Sequence, residues 1–147
     1  MPHHIRPLTP ADRPAWASLW EGYLEFYRQD LAPAVTDAVF GRLAAGTHGL
    51  RGYLLEVDGA PAGLVHTCTH ANTWDTRPAC YLEDLYVAPA HRGRHLGRAL
   101  VEHVYAEAAR AGAAQVYWHT DAANAVARRL YDRVGELSDF VRYVHAL

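Results

Sequence analysis

The chain has 147 residues, half of them hydrophobic and 20% charged, with a formal net charge of −2 at pH 7. That length suits one domain, residues 1–147, around a single sizeable core, and the near-neutral balance argues against nucleic acid, which selects a basic footprint. Cys68 and Cys80 carry no redox or metal spacing and the ten histidines form no zinc pattern, so no metal is expected and the cysteines read as small buried hydrophobes of a reducing cytosol. No stretch reaches 18 apolar residues, and the start Met1-Pro2-His3-His4 has no apolar leader; no membrane contact is expected, and the expected location is cytoplasmic.

In chain order, residues 5–8 suit a first strand, and Thr9-Pro10-Ala11-Asp12 a turn into a helix. Trp16, Leu19, Trp20, Tyr23, Leu24 and Tyr27 recur at spacings of three and four, predicting an amphipathic helix with a wide aromatic face. Pro33 is expected to break it, and Thr36 to cap a second helix through Val39, Phe40 and Leu43 that ends near Gly46. Strands are predicted over residues 50–57 and 62–69, joined by the hairpin turn Asp58-Gly59. A polar loop around Trp74 leads to a third long strand over residues 79–87. A helix from Gly97 places Leu100, Val104 and Ala108 on one stripe and stops at Gly112. A short strand over 115–119 follows. A helix then starts at residues 121–124, with Gly135 in the C′ role, and a last strand covers 140–147. The order β-α-α-β-β-β-α-β-α-β predicts a mixed α/β protein with antiparallel hairpins first and a βαβ crossover after them.

The segment from Tyr81 to Val101 concentrates the chemistry. A strand runs through a turn marked by proline and glycine into a helix, a junction that aims backbone N–H groups and the positive helix end at one volume and suits a phosphate or pyrophosphate. Arg92, Arg94 and Arg98 at that helix start oppose the helix dipole unless an anion is bound; the plainer alternative is an exposed basic helix start. Glu83 and Asp84, on the same strand, suggest a cationic ligand beside the anionic one.

Arg92-Gly93-Arg94-His95-Leu96-Gly97 resembles the Arg/Gln-x-x-Gly-x-Gly/Ala loop of the GNAT superfamily of N-acetyltransferases, and the run from Asn124 through Ala127 and Leu130 to Tyr131 resembles that family's second motif. Order and spacing agree over nearly the whole chain. Within the superfamily, Tyr81-Leu82-Glu83-Asp84-Leu85-Tyr86-Val87 and Thr73-Trp74 are similar to diamine (spermidine/spermine) acetyltransferases. The helix from Trp16 to Tyr27 and the ending Leu130-Tyr131-Asp132-Arg133-Val134 look like microbial relatives of yeast histone and polyamine acetyltransferases.

The resemblance implies the GNAT fold, a central mixed, mostly antiparallel twisted sheet flanked by helices on both faces, with acetyl-CoA as cosubstrate. It implies that Arg92, Gly93, Arg94, His95, Leu96, Gly97 and Arg98 hold the pyrophosphate, that Leu85, Tyr86 and Val87 offer splayed-strand backbone to the pantetheine arm, and that Asn124, Ala127 and Tyr131 also touch the coenzyme. His95 stands where the family has glycine. Backbone must approach the ligand closely there, so the imidazole has to turn outward.

Tyr131 is then the candidate general acid for the leaving thiolate, against the alternative of a helix tyrosine packed on the core. Glu83 is the candidate general base, directly or through water. A primary amine is almost wholly protonated at pH 7, and freeing its lone pair costs about 4.6 kcal/mol. Successive strand residues face opposite ways, so Glu83 and Asp84 share a side only if a bulge intervenes. Trp20, Tyr27 and Trp74 are candidate walls for a cationic acceptor, or core residues in the plainer reading.

The expected reaction is direct attack of a small primary amine on the thioester, through a tetrahedral intermediate without an acyl-enzyme. A polyamine is the first acceptor class, an amino acid or aminoglycoside-like amine the second, and a protein lysine or N-terminus the third. A non-catalytic acyl-CoA sensor is the rival from another class, supported by His95; acylation of an aminoacyl-tRNA sits poorly with the acidic balance. A homodimer is expected, the last strand completing its sheet with a partner chain.

Overall fold

A computed structural model describes residues 2–147. Five strands form one sheet in chain order: β1 (His3–Pro7), β2 (Leu50–Val57), β3 (Ala60–His70) and β4 (Ala79–Val87) pair antiparallel, and β5 (Gln115–Tyr117) joins β4 in parallel. Four helices complete the chain: α1 (Arg13–Phe26), α2 (Pro33–Ala45), α3 (Leu96–Arg110) and α4 (Ala125–Val134). The mixed, mostly antiparallel sheet expected from the sequence is therefore present, with the parallel step supplied by the β4–α3–β5 crossover.

Alternation along the strands divides the core in two. Leu54 and Leu64 meet Trp16, Leu19, Trp20, Phe40 and Leu43 of α1 and α2. Tyr53, Leu55, Val65 and Leu82 meet Leu100, Val101 and Val104 of α3, with Val134 of α4 at the margin. Strand residues one apart serve opposite layers, as the two-residue period requires, and each fully buried Leu contributes about 1.5–3 kcal/mol of transfer free energy.

β1 is locked to the start of α1 by charge. The Arg6 guanidinium donates two bonds of 2.8 Å to Asp12 and one of 2.7 Å to Glu56. These bonds hold the Asp12 carboxyl well below the usual range, with desolvation opposing.

Two features of β4 position the site. The β3–β4 register slips so that His66 opposes Asp84 while Thr67 opposes Leu82, which makes Glu83 the extra residue of a β-bulge. On its other edge β4 pairs with β5 only over Ala79, Cys80 and Tyr81. From Leu82 to Val87 this edge of β4 has no strand partner.

Several local expectations need correction. Pro33 starts α2 instead of ending α1; it sits in the first turn, where its missing N–H has no intrahelical role, and Ala32, not Thr36, is the cap residue. Gly135 ends α4 in extended backbone (φ −145°), not in the left-handed C′ geometry. Its need is close approach: a Cβ would strike the Trp118 ring at 2.6 Å. The expected strand over 140–147 is absent; residues 136–147 form neither strand nor helix, and Phe140, Val141, Tyr143 and Val144 stand exposed. A strand persists only by pairing, and the edge next in line is the three-residue β5. No helix among the described residues is long and apolar enough to cross a membrane.

Candidate active site

The loop between β4 and α3 takes its shape from two left-handed residues. Gly93 has φ +78° with open space where a Cβ would stand. His95 has φ 60° and ψ 21°, is exposed, and occupies the N-cap of α3 without making a side-chain cap. The departure from glycine is thus accommodated by an imidazole turned outward in a region His tolerates. The first amides of α3 lack intrahelical acceptors by construction, and Leu96, 6% exposed, anchors the turn in the core.

The arginines divide their work. Arg92 folds back, its Nε donating to the Val87 carbonyl at 3.0 Å and its guanidinium lying 5.7 Å from the Tyr86 ring centroid, which braces the end of β4. Arg98 pairs with Glu102 at 2.8 Å on the α3 surface. Arg94 lines, with Leu96, His3 and Val57, a pocket of about 410 Å³ beside the loop. At Gly97 a Cβ would come within 3.3 Å of Leu130 Cδ2, so glycine there lets α3 and α4 approach.

Asn124 caps α4 by accepting from the Ala127 amide at 3.1 Å. One face-turn on, Tyr131 packs edge-on against Trp118 with ring centroids 5.5 Å apart. Burial pushes its phenol above the ordinary range, and the nearby Tyr27 adds to this. The group keeps its proton at neutral pH.

On the opposite wall the bulge settles the facing problem. Leu82 and Leu85, three residues apart, both pack in the α3 layer, which the extra residue at the bulge allows, and the two carboxylates lie between them. Glu83 is exposed. Burial first and Asp84 second raise its carboxyl above the usual range, while His66 and Arg142 pull the other way. Asp84 accepts from His66 at 2.9 Å, and the Tyr23 hydroxyl is within reach of the same carboxylate.

The aromatic face of α1 forms a ladder from core to cleft. Trp16 stacks on Trp20 (5.8 Å), Trp20 on Tyr23 (4.8 Å), and Tyr23 tilts against Tyr27 (4.8 Å). Trp20 lies in the core at 7% exposure, whereas Tyr27, 42% exposed, reaches the cleft side, where it influences Tyr131. Trp74 stands 86% exposed on the loop before β4, outside the ring contacts found among the described residues.

Sequence reasoning missed Tyr23, His66, Tyr81, Tyr117 and His119. Tyr81 stacks on Tyr117 at 5.0 Å, with His119 3.3 Å from the Tyr81 hydroxyl and His70 2.6 Å from that of Tyr117. The signal for His66 was present: a lone imidazole in the apolar run Ala62-Gly63-Leu64-Val65-His66 needs partners to be buried.

Residues 14–135 match the acetyltransferase (GNAT) family. The chain is 34% identical over 141 residues to the D-amino-acid N-acetyltransferase HPA3 of Saccharomyces cerevisiae, covering 95% of this chain and 88% of that protein. Among solved structures it resembles AAC(6')-Iy in complex with the bisubstrate analogue CoA-S-monomethyl-acetylneamine (TM-score 0.87, 16% identity, 100% and 99% of the two chains covered). It also resembles the ribosomal-protein-alanine N-acetyltransferase of Brucella melitensis biovar Abortus 2308 (TM-score 0.81, 20% identity, 99% and 100% covered). These two likenesses carry the fold.

Proposed function

Because this chain belongs to the acetyltransferase (GNAT) family, we propose that it transfers the acetyl group of acetyl-CoA to a primary amine of a small molecule. The observation that carries the proposal is the junction of β4 and α3. The bulged β4 keeps an edge without a strand partner that leads to a helix start with no side-chain cap and two left-handed residues, and the same strand bears the carboxylates Glu83 and Asp84.

Acetyl-CoA brings the activated acyl thioester. Backbone amides from Gly93 to Arg98 and the strand edge at Leu85, Tyr86 and Val87, where the Val87 carbonyl already accepts from Arg92, are suited to its pyrophosphate and its amide-bearing arm. Arg94 stands beside the pocket that offers room next to the loop. Glu83 and Asp84 attract the ammonium, and Glu83 takes its proton, a role its raised carboxyl suits. Tyr131 holds a proton at Oη for the departing sulfur. Full transfer from phenol to thiolate runs uphill by roughly 2 kcal/mol, so the phenol acts first as a hydrogen-bond donor to developing charge. Tyr27 is assigned to the acceptor side, and Trp74, exposed on the loop before β4, to a cation that meets its ring.

Acceptor class follows from charge. The acidic pair selects an amine, and Arg142, whose charge acts on Glu83, Tyr81 and His119, adds a cation at the acceptor end. An amine that also carries a carboxylate satisfies both signs; its similarity to a D-amino-acid N-acetyltransferase supports amino acids ahead of polyamines. The whole chain acts as one domain, in the cytoplasm, without metal, membrane or nucleic acid, and as a homodimer whose apolar segment 136–147 is covered by a second copy.

Purified protein with acetyl-CoA and a panel of D- and L-amino acids, diamines, an aminoglycoside and a lysine peptide tests this through release of free thiol. Amine-dependent release with the small molecules is expected. Release with none of them, or only with the peptide, would overturn the reading.

A further inference from the structure

His66 is 2% exposed, yet both of its ring nitrogens are engaged. Nε2 lies 2.9 Å from the indole Nε1 of Trp16, and Nδ1 lies 2.9 Å from Asp84 Oδ2. An indole N–H only donates, so Nε2 must be the acceptor and the ring proton must sit on Nδ1. Nδ1–H then donates to Asp84. The tautomer is therefore set from the core side, by a tryptophan with no exposed surface, and its consequence appears at the carboxylate.

Other polar groups lie close by: the Trp20 indole Nε1 is buried without a hydrogen-bond partner, and Tyr23 reaches the Asp84 carboxylate. On α1, His66 meets Trp16, Trp20 (ring centroids 5.0 Å) and, through Asp84, Tyr23. On β2 its register partner is Gly52, and on β4 it faces Asp84 with Glu83 next to it. Asp84 sits at the slip in the β3–β4 register, where the ladder is locally disrupted and a bulge re-aims side chains. Its side chain is 13% exposed, so it stands between the core and the cleft. A buried imidazole costs free energy unless both nitrogens are satisfied; a Leu at this strand position would pack without that cost.

We infer that His66, with its tautomer fixed by Trp16, is a positioning residue that pins Asp84 Oδ2 so that Oδ1 faces the acceptor ammonium. This rests on the acetyltransferase reading and assigns Asp84, through His66, the orientation of the amine, while Glu83 on the same bulge takes the proton. The chain Trp16–His66–Asp84 thus couples the rigid α1 core to the one irregular point of β4.

The tautomer is read directly by ¹⁵N-edited long-range NMR of the histidine side chains in the intact protein at pH 7.5, assigned with His66→Asn. Kinetics then compare His66→Leu with His66→Asn, whose amide N–H can replace Nδ1–H toward Asp84. The inference expects the Nδ1–H form in the wild type. It expects the amine KM to rise about tenfold or more in His66→Leu, the scale of one lost bond to a charged group, with CoA affinity unchanged, and to return to within about threefold of wild type in His66→Asn. An Nε2–H tautomer, an unchanged KM in His66→Leu, or an Asn variant no better than Leu would overturn it. The tautomer result stands even if the Leu variant fails to fold. Absence of thiol release in the wild type would instead strike the acetyltransferase reading and leave the tautomer untouched.

Discussion

At Glu83, catalysis and stability pull apart. Burial and the Asp84 carboxylate raise its folded-state pKa, so its favourable linkage to folding is complete below the unfolded carboxylate pKa and is lost as pH rises through the folded one. At pH 7 the ionised group is a net cost to the fold, and in the role proposed for it a benefit to the reaction. Glu83→Gln should therefore lower kcat/KM about 10²-fold or more while thermal unfolding shows a Tm equal to or above wild type; a large fall in Tm would show the carboxylate to be structural. The wild-type acidic limb of kcat/KM should lie above the ordinary carboxylate range and vanish in this variant. Tyr131→Phe keeps the ring that packs on Trp118 and removes only the phenol proton, so kcat should fall about 10²-fold or more with CoA binding intact by calorimetry. Equal kcat would show that the phenol is not the proton donor. At this scale the left-handed loop before α3 was legible in the sequence, and Glu83 and Tyr131 were singled out there through their likeness to family motifs. The sequence did not carry His66 or Tyr23, whose partners sit 18 and 61 residues away on Asp84 and meet only once the sheet forms.

Elements were legible where hydrophobic period and turn chemistry agree. The β2–β3 hairpin at Asp58-Gly59, the aromatic helix and the Gly46 stop all appear as read, Gly46 with φ +67°. Pro33 was misread because proline ends one helix and starts the next equally well. The bulge at Glu83 was stated only as a condition, since register is set by pairing and not by composition. Gly22 shows a packing requirement no period reveals: a Cβ there would collide with the Tyr86 hydroxyl, so the mid-helix glycine of α1 makes room for the tip of that ring. Gly22→Ala should gain about 1 kcal/mol of helix propensity and lose about 1–3 kcal/mol to overpacking, for a net loss of stability by urea unfolding and a weaker coenzyme affinity. A more stable variant would refute the close approach. Asp12 gives a second test. Its depressed carboxyl contributes stability above the unfolded pKa and loses it as pH falls through the folded value. The difference in stability between wild type and Asp12→Asn should hold from pH 7 to about 5 and shrink below about pH 4.

For the whole molecule, the segment after α4 is the part that sequence alone could not place. Phe140, Val141, Tyr143 and Val144 have the β-branched and aromatic character of a strand, but each is more than 70% exposed and unpaired. Four such side chains in one short run exceed what a monomer ordinarily leaves open, and Arg142 among them acts on the acceptor end of the cleft. If a second copy covers this run, sedimentation should report a dimer, and deletion of residues 137–147 should yield a monomer with reduced amine specificity but retained CoA binding. A monomeric wild type would contradict the paired arrangement. The catalytic expectations depend on the junction of β4 and α3 gripping the coenzyme. Titration of CoA into the protein by calorimetry at physiological salt tests that grip most directly. The account predicts one site per chain with Kd between about 1 μM and 1 mM, weakened at least tenfold by Gly93→Val, which places a β-branched residue at positive φ. No binding, confirmed by equilibrium dialysis, would contradict it.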